Sequence, residues 1–418
     1  MIILGIETSC DETALALLET RQINDNDKFL PECRVLASLV HSQAELHSAY
    51  GGVFPTLAKR EHGKNLVPLL HKLLIEAALP ERDVDNTSAA SLSHLEKILE
   101  EFREEIAPQN PELFESFAHA EFLKEPAPTI DAIAVTEGPG LEPALWTGIN
   151  LSRMLGAVWS MPIIPVDHME GHILGSLLTA DAANGAWHKL ADVQLPAIAL
   201  LISGGHTELV RIDRLGSYEV LGQTRDDAVG EAFDKTARLL GLPYPGGPHI
   251  SELARHAAEE KLASPVKLPR PMIASGDLDF SFAGLKTAVL YAVRDASKDA
   301  AGKLSEAWKK GIAREFEQAV SDVLDAKLRK AIEQIGAKSI IIGGGVSANA
   351  LLRERFTTTA KEFGLPLFLP SRHVSGDNAL MIALAGAIGK DSGRLNKKKG
   401  AQAALRAQGT KKLGDKNQ

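Results

Sequence analysis

Ile2–Glu19 reads IILGIETSCDETALALLE, and Ala197–Ile212 reads AIALLISGGHTELVRI. Each stretch starts with an apolar run of strand length, passes through a polar turn and returns in a second run with strand character. This is the pattern of a strand–turn–strand hairpin. Two such hairpins indicate an internal repeat of two related halves. We therefore predict an α/β protein of two lobes, in which the two turns face each other across a cleft and can clamp a nucleotide.

Helical and strand-like segments alternate along the rest of the chain, and its length of 418 residues suits at least two domains. We predict a first lobe at residues 1–166, with a surface insertion at 80–128 where prolines flank a charged helix. A second lobe at 167–389 is predicted to carry a metal site and a nucleotide site. Residues 390–418 hold nine Lys or Arg and two Asp or Glu, which predicts a disordered basic tail. Such a tail is either a solubilising segment or an arm for RNA phosphates.

The composition excludes several classes of protein. The net charge of −8 provides no overall positive field for nucleic acid, and two cysteines, Cys10 and Cys33, do not make a disulfide framework. No apolar run approaches the roughly 20 residues of a membrane span. Met1 leads directly into an apolar strand, which leaves no room for a signal peptide. We therefore expect an enzyme in the cytoplasm.

A pair of histidines four positions apart suggests a metal site. His168 and His172 flank Met-Glu-Gly, and on a helix this spacing places both imidazoles on one face. A metalloprotease would have its glutamate directly after the first histidine, whereas here it is one place later. Asp377, in a glycine turn before an apolar helix, is a candidate third ligand, although an aspartate there can also be a helix N-cap. Two histidines and one carboxylate would leave coordination positions open for substrate or water.

Glycine-rich turns suggest a nucleotide site. Ile202–Thr207 (ISGGHT) offers backbone N–H groups that can bind an anion, although it can also be a plain hairpin turn. Gly343–Asn349 (GGGVSAN) lies between a predicted strand and a predicted helix, where three glycines allow a phosphate or a planar ring to approach the backbone. Asp234 could accept hydrogen bonds from ribose hydroxyls, and Gly247 would let the backbone approach the sugar. There is no GxxxxGK[ST] sequence, so a P-loop is excluded.

Taken together, these segments closely resemble the TsaD family of tRNA N6-adenosine threonylcarbamoyltransferases. The motifs occur in family order: GIETSCDET (Gly5–Thr13), HMEGH (His168–His172), ISGGHTELV (Ile202–Val210), GEAFDKTARLLGLPYPGGP (Gly230–Pro248), FSFAGLKTAV (Phe280–Val289), GGGVSAN (Gly343–Asn349) and SGDNALMIA (Ser375–Ala383). The resemblance implies a two-lobed actin-like ATPase fold, a duplicated ribonuclease H-like arrangement. It also implies transfer of a threonylcarbamoyl group from threonylcarbamoyl-AMP to N6 of the adenosine 3′ of the anticodon, in tRNAs that read codons beginning with A.

The resemblance also implies roles for individual residues. His168, His172 and Asp377 would hold one divalent metal ion, iron(II) or zinc. The residues implied in adenylate binding are Ile202, Ser203, Gly204, Gly205, His206, Asp234, Gly247 and Asn349. Asp11 and Glu12 lie on the first hairpin turn, and either could orient the adenine amine during catalysis.

The implied partners are tRNA, threonylcarbamoyl-AMP, a TsaB-like paralogue and a TsaE-like ATPase, with a TsaC-like enzyme that supplies the adenylate. The insertion at 80–128 is longer than is usual in the family and leaves the partner contacts open. Two other functions remain as alternatives. An ATP-dependent small-molecule kinase of the same superfold would have no use for the two histidines and Asp377, and the position of the glutamate disfavours a metalloprotease.

Overall fold

The fold is mixed α/β with two separate sheets, and the structure is a computed structural model. It describes residues 1–21, 31–80, 92–178, 186–299, 304–372, 374–391 and 405–414. Contacts divide the chain into two compact units. Unit 1 contains Met1–Gln43, Val53–Ala191 and Asp377–Gln418, and unit 2 contains Ala44–Gly52 and Asp192–Gly376.

Unit 1 is built on a six-stranded sheet in the order β5-β4-β1-β2-β3-β6. Its strands are β1 (Ile2–Glu7), β2 (Glu12–Arg21), β3 (Glu32–Ser42), β4 (Ala132–Gly138), β5 (Ile163–Asp167) and β6 (His188–Lys189). Its helices are α2 (Pro55–Ala77), α3 (Leu92–Glu105), α4 (Pro111–Ala118), α5 (Glu142–Val158), α6 (His168–Gly175) and α12 (Ala379–Asp391), with a 3-10 turn at Glu121–Lys124.

Unit 2 is built on a five-stranded sheet in the order β11-β10-β7-β8-β9. Its strands are β7 (Ala197–Ile202), β8 (Thr207–Arg214), β9 (Ser217–Gln223), β10 (Ser339–Gly343) and β11 (Leu367–Phe368). Its helices are α1 (Ala44–Ser48), α7 (Val229–Leu239), α8 (Gly246–Glu259), α9 (Ala283–Asp299), α10 (Glu306–Ile335) and α11 (Ala350–Phe363), with a 3-10 turn at Gly345–Ala348.

The two sheets repeat one topology. In unit 1, β1 pairs antiparallel with β2 and parallel with β4, and the outer pairs are β2 with β3 (antiparallel) and β4 with β5 (parallel). In unit 2, β7 takes the place of β1: it pairs antiparallel with β8 and parallel with β10. The outer pairs, β8 with β9 and β10 with β11, repeat the same directions. The predicted hairpins and the predicted fold class, a duplicated α/β arrangement in two lobes, are therefore confirmed.

The predicted boundary between the lobes, after residue 166, is wrong. Residues 167–191 belong to unit 1, because β5 continues directly into α6 and α6 packs on α12. From Asp377 onward the chain again belongs to unit 1. The metal-ligand candidates therefore lie in unit 1, and the segment 167–389 is not one lobe that carries both sites.

Helix α12 belongs to unit 1 because it packs on the central strands of that sheet. Gly5 on β1 allows the closest approach, since a Cβ there would lie 2.2 Å from the carbonyl oxygen of Ala379. A Cβ at Gly386 would likewise lie 2.5 Å from the Cβ of Ala134 on β4. The two glycines therefore remove the side chains that would separate the helix from the strands.

The predicted surface insertion at 80–128 is in part a piece of the core. Residues 81–91 lie outside the described residues, and α3 covers the charged helix that the sequence predicts. Phe114 and Phe117 on α4, together with Phe122, are at most 3% exposed and pack in the hydrophobic core of unit 1. Their burial follows from the apolar spacing of α4, which the high proline and charge content of the segment obscures.

The predicted disordered tail at 390–418 is also wrong in part. Residues 390–391 are the last of α12, and residues 405–414 pack against unit 1, where Leu405 is 7% and Leu413 is 5% exposed. Residues 392–404 and 415–418 lie outside the described residues. No helix in the described part of the chain combines the length and apolar character needed to cross a membrane.

Candidate metal centre and nucleotide site

The two histidines of the HMEGH motif occupy one face of helix α6, as the sequence predicts. Asp167 caps the helix: its Oδ1 accepts hydrogen bonds from the backbone N–H groups of Met169 (2.9 Å) and Glu170 (3.3 Å). The ring centroids of His168 and His172 are 4.7 Å apart at an interplanar angle of 81°. Both side chains are buried, so helix geometry alone brings two imidazoles together in the interior of unit 1.

Asp377 reaches this pair from the start of α12. Its Oδ1 lies 3.2 Å from Nε2 of His172 and 3.5 Å from Nε2 of His168. The helix-capping role belongs instead to Asn378, whose Oδ1 accepts a hydrogen bond of 3.0 Å from the N–H of Met381. Because the neighbouring residue caps the helix, Asp377 remains available to the histidines.

These three side chains fit a divalent metal ion. One ligand atom of each of His168, His172 and Asp377 lies within 4.8 Å of the others. The contact between His172 Nε2 and Asp377 does not have hydrogen-bond geometry, so Nε2 is a buried nitrogen without a hydrogen-bond partner. A buried polar atom without a partner is costly, and a bound cation would satisfy it. Two imidazoles and one carboxylate are a donor set typical of catalytic metal sites.

Glu7 contacts the triad through His168, and it was not among the site residues predicted from the sequence. Its Oε2 lies 3.0 Å from Nδ1 of His168 and accepts a hydrogen bond of 2.6 Å from Oγ1 of Thr136. Its Oε1 accepts a hydrogen bond of 2.5 Å from the N–H of Ser9, and the Ser9 hydroxyl lies 3.2 Å from the same His168 nitrogen. The available signal was a charged residue at the end of a buried strand within GIETSC.

The charges of the triad reinforce one another. Burial opposes ionisation of His168, but Asp377 and Glu7 raise its pKa well above the usual range. Burial likewise raises the pKa of Asp377, but His168 and His172 bring it to well below its usual range. In the absence of metal, the site is therefore an ion pair between imidazolium and carboxylate, and an incoming cation replaces the proton.

Asp11 lies in the turn between β1 and β2, and Glu12, predicted to lie on that turn, is the first residue of β2; both are in the same unit as the triad. Asp11 is 5% exposed. Burial, followed by the charges of Asp377 and Asp11, raises the pKa of Glu12 well above its usual range. The raised pKa favours the protonated form, in which Glu12 can donate a hydrogen bond.

Gly171 inside α6 has a packing role. A Cβ there would lie 3.0 Å from Cδ1 of Ile382 and 3.1 Å from Cγ of Met381, both on α12. The sequence predicts a helix with the two histidines at this position, and the close contact with α12 explains why a glycine occurs within it. The close contact of the two helices brings the start of α12, with Asp377, next to the histidines.

The glycine turn of unit 2 joins β7 to β8. It is closed by a hydrogen bond of 2.9 Å from the Ser203 N–H to the His206 carbonyl and one of 3.1 Å from the His206 N–H to the Ser203 hydroxyl. Gly204 and Gly205 are exposed, and a Cβ at either would meet nothing within 4 Å. The side chain of Ile202 lies in the core of unit 2, so only its backbone can contribute to a ligand site.

Two further glycines converge on this turn. Gly344 follows β10 with φ +87°, and a Cβ there would lie 2.4 Å from the carbonyl oxygen of Ile202. Gly230, at the start of α7, donates its N–H to the Ser203 carbonyl at 3.1 Å. The strands β7 and β10 are parallel neighbours, so their carboxyl ends meet at this edge. In α/β sheets, ligands bind outside the carboxyl ends of such strands.

The remaining predicted adenylate residues surround helices α8 and α11. Asp234 accepts a hydrogen bond of 2.7 Å from the N–H of Gly246, and the adjoining Gly247 faces open space. Asn349 caps α11, since its Oδ1 accepts from the Leu352 N–H at 3.0 Å.

The amide nitrogen of Asn349 makes two further contacts, donating to Ser251 Oγ at 2.8 Å and to Glu317 Oε1 at 2.6 Å. Both N–H donors are therefore used within the protein. Asn349 holds the loop after β10 in place, and its amide is not a spare donor for a ligand.

Comparison with known proteins decides the family. The sequence model described as "TsaD: tRNA N6-adenosine threonylcarbamoyltransferase" matches residues 34–91 and 117–384. A tRNA N6-adenosine threonylcarbamoyltransferase of Polaromonas sp. is 38% identical over 393 residues, 94% of this chain and 92% of the relative. The protein of the same name in Burkholderia mallei is 40% identical over 389 residues, 93% of this chain and 92% of the relative. The chain belongs to the TsaD family.

As a TsaD protein it is a transferase that passes the threonylcarbamoyl group to N6 of a tRNA adenosine. Among solved structures, the activator of the 2-hydroxyisocaproyl-CoA dehydratase from Clostridium difficile with bound ADPNP aligns with a TM-score of 0.43 and 13% identity, over 94% of this chain and 97% of the other.

The match to the TsaD model leaves out residues 1–33, residues 92–116 and the chain after residue 384. Residues 92–116 contain α3 and most of α4, and the chain after residue 384 contains the segment 405–414.

Proposed function

We propose that this TsaD protein takes the threonylcarbamoyl group from threonylcarbamoyl-AMP and transfers it to N6 of the adenosine 3′ of the anticodon, in tRNAs that read codons beginning with A. The observation that carries the proposal is the cluster of the buried His168 and His172 with Asp377, in which the Nε2 of His172 lacks a hydrogen-bond partner. Neither a sugar kinase nor a non-catalytic scaffold requires such a triad.

His168, His172 and Asp377 would hold one divalent ion, iron(II) or zinc. Bound there, the ion would act as a Lewis acid toward a carbonyl oxygen of the threonylcarbamoyl group. Glu7 fixes the orientation of His168 and keeps its Nε2 directed toward Asp377. His168 and His172 are buried and the Asp377 side chain is only 18% exposed, which limits the screening of the charge interactions among them by water.

We propose that the AMP part of the donor binds in unit 2. The exposed backbone of Gly204 and Gly205 supplies N–H groups for the phosphate, and the open position at Gly247 admits the ribose. Ile202, Ser203 and His206 contribute by shaping the turn. Asp234 and Asn349 hold the adjoining loops through the hydrogen bonds to Gly246 and Leu352.

The reaction forms a bond between N6 of adenine and the carbamoyl carbon, and it breaks the bond from that carbon to the phosphate oxygen of AMP. One proton leaves N6, and AMP leaves as the anion. Asp11 would accept a hydrogen bond from the attacking amine, and Glu12, whose pKa is raised by burial, would donate one from its protonated form to the developing negative charge. Because an aromatic amine is a weak nucleophile, positioning supplies much of the rate.

We further propose that the protein acts in the cytoplasm, together with a TsaB-like paralogue and a TsaE-like ATPase, while a TsaC-like enzyme supplies the adenylate. These partners are proposed because the chain belongs to the TsaD family; no contact within the described residues supports them.

The test uses the full chain with threonylcarbamoyl-AMP and unmodified tRNA, followed by analysis of the nucleosides. We expect threonylcarbamoyladenosine from the wild type, and loss of both bound metal and product from the double variant His168→Ala/Asp377→Ala. The control is His119→Ala, a histidine with a 79% exposed side chain. If the double variant kept its metal and its activity, the proposed centre would be wrong. Phosphorylated sugar or cleaved peptide as the wild-type product would favour a kinase or a protease.

A further inference from the structure

The C-terminal segment 405–414 packs against the loop that follows β4. The N–H of Gln408 donates to the carbonyl of Glu137 at 2.7 Å, and the N–H of Gly140 donates to the carbonyl of Gly409 at 3.1 Å. A Cβ at Gly138 would lie 2.1 Å from the Gln408 carbonyl oxygen, so this position admits the segment only as glycine. Together with the buried Leu405, these contacts describe a built docking site and not an incidental contact.

This segment brings a buried cation to two buried carboxylates. Lys411 forms an ion pair with Oε1 of Glu137, and its Nζ lies 4.0 Å from Oδ2 of Asp167. The side chains are 9%, 6% and 7% exposed, respectively. Oδ2 of Asp167 has no hydrogen-bond partner, so the nearby ammonium is what compensates its charge.

Asp167 is the residue that fixes the start of the metal-site helix. Its Oδ1 accepts from the N–H groups of Met169 and Glu170, while its Oδ2 faces Lys411. His168 follows it directly in the chain. The position of this carboxylate therefore sets where α6 begins and how its first imidazole is directed.

We propose that Lys411 is a positioning residue for the metal centre: it holds Asp167, and through it the first turn of α6, in the geometry that presents His168 and His172. The sequence suggested either a solubilising tail or an arm for RNA phosphates here, whereas the ammonium of Lys411 is directed into unit 1. Its neighbour Lys412 is exposed. The expected effect on metal binding rests on the proposed function, whereas the positioning of α6 by Lys411 can be measured without metal.

The first readout is amide hydrogen exchange of Met169 and Glu170 in the metal-free full chain. In the Lys411→Met variant we expect these two amides to exchange about tenfold faster than in the wild type, because the charge that holds their hydrogen-bond acceptor, Asp167, is lost. Lys412→Met, the matched control, should exchange like the wild type, and Lys411→Arg should retain most of the protection. Equal exchange in Lys411→Met and Lys412→Met would overturn the proposal.

The second readout is the dissociation constant for Co²⁺, followed by its absorption spectrum. Loss of an outer-shell partner of a metal site typically costs about 10- to 100-fold in affinity, and we expect about tenfold for Lys411→Met. A wild type that bound no Co²⁺ would refute the metal centre, while the exchange experiment would still decide the role of Lys411. If Lys411→Met bound Co²⁺ as tightly as Lys412→Met, Lys411 would not position the centre.

A double-mutant cycle separates the route through Asp167 from a general loss of stability. Asp167→Asn keeps the Oδ1 acceptor and removes the charge. In that background, Lys411→Met should change the exchange of Met169 and Glu170 much less than it does in the wild type. An equal change in both backgrounds would mean that Lys411 acts through Glu137 alone, and the proposal would fail. The cycle also covers the case in which the single variant is unstable, because Asp167→Asn removes the unpaired charge.

Discussion

Nδ1 of His168 lies 3.0 Å from Oε2 of Glu7, and this contact determines which nitrogen of the ring is free for a metal ion. When the carboxylate accepts a hydrogen bond from Nδ1–H, the neutral ring has its lone pair on Nε2, the atom that lies 3.5 Å from Asp377. Carboxylate–histidine pairs of this kind orient the ligand and raise its basicity. Glu7 is thus part of the proposed metal centre together with the three candidate ligands.

Glu7→Gln should weaken metal binding by about 10- to 100-fold, because an amide no longer fixes the tautomer of His168. The measurement is a Co²⁺ titration of the purified protein. Glu19→Gln is the control, since Glu19 also lies in the β1–β2 hairpin but pairs with Arg34. Unchanged Co²⁺ affinity in Glu7→Gln would show that Glu7 is only a buried neighbour.

Gly344→Ala should destabilise unit 2 by about 1–3 kcal/mol from backbone strain, since φ is +87°. The clash with the Ile202 carbonyl, 2.4 Å from the added Cβ, adds to this cost. Gly345→Ala is the matched control, because its Cβ would meet nothing within 4 Å. The free energies of unfolding in urea decide the matter, and equal values for the two variants would contradict the tight fit of β10 against β7.

Phe117→Ala should lower the free energy of unfolding by about 3–5 kcal/mol, as is typical for a large buried aromatic residue. Phe117 is fully buried and its ring centroid lies 6.1 Å from that of Phe122. Phe54→Ala, at a side chain that is 52% exposed, should change it by less than about 0.5 kcal/mol. Should both variants behave alike in urea, α4 would be a surface insertion after all.

Asp226→Asn should reveal a pH-dependent contribution to stability. Burial raises the pKa of Asp226, but hydrogen bonds from the Ser281 hydroxyl and the Phe282 and Ala283 N–H groups outweigh this and lower it. A lowered folded-state pKa means that the contribution is present above the unfolded pKa of about 4 and is lost as pH falls through the folded value.

The difference in unfolding free energy between wild type and Asp226→Asn should therefore shrink as the pH is lowered from 6 to about 3. Asp213→Asn, a mostly exposed aspartate that pairs with Arg211, serves as the comparison. A difference that did not depend on pH would mean that Asp226 contributes no charge-dependent bond to the start of α9.

The hairpins and the histidine pair could be predicted from sequence because their information is local. Apolar runs around a turn define a strand pair, and four residues define one turn of a helix. The role of Glu7 could not be predicted, since its partner His168 lies 161 positions away. The capping role of Asn378 could not be predicted either. Asp377 and Asn378 both precede α12, and only their side-chain geometry shows that Asn378 caps the helix while Asp377 faces the histidines.

The boundary between the units was mispredicted for a related reason. The predicted boundary grouped α6 with the segment that follows it in the sequence. In the structure α6 belongs to unit 1, where Gly171 packs against Met381 of α12. The tail was mispredicted because its charge dominates its composition. The tail has three leucines, of which Leu405 and Leu413 are buried, and isolated leucines in a basic segment do not form a recognisable pattern.

The return of the chain to unit 1 at Asp377 also sets an order of events during synthesis on the ribosome. When residues 1–191 have emerged, the strands carrying Gly5 and Ala134 still lack the helix that covers them. Unit 2, whose last residue is Gly376, is therefore fully synthesised before unit 1 is. A nascent chain that stops short of Asp377 contains both histidines but not the aspartate beside them, so the proposed metal site can be completed only late in synthesis.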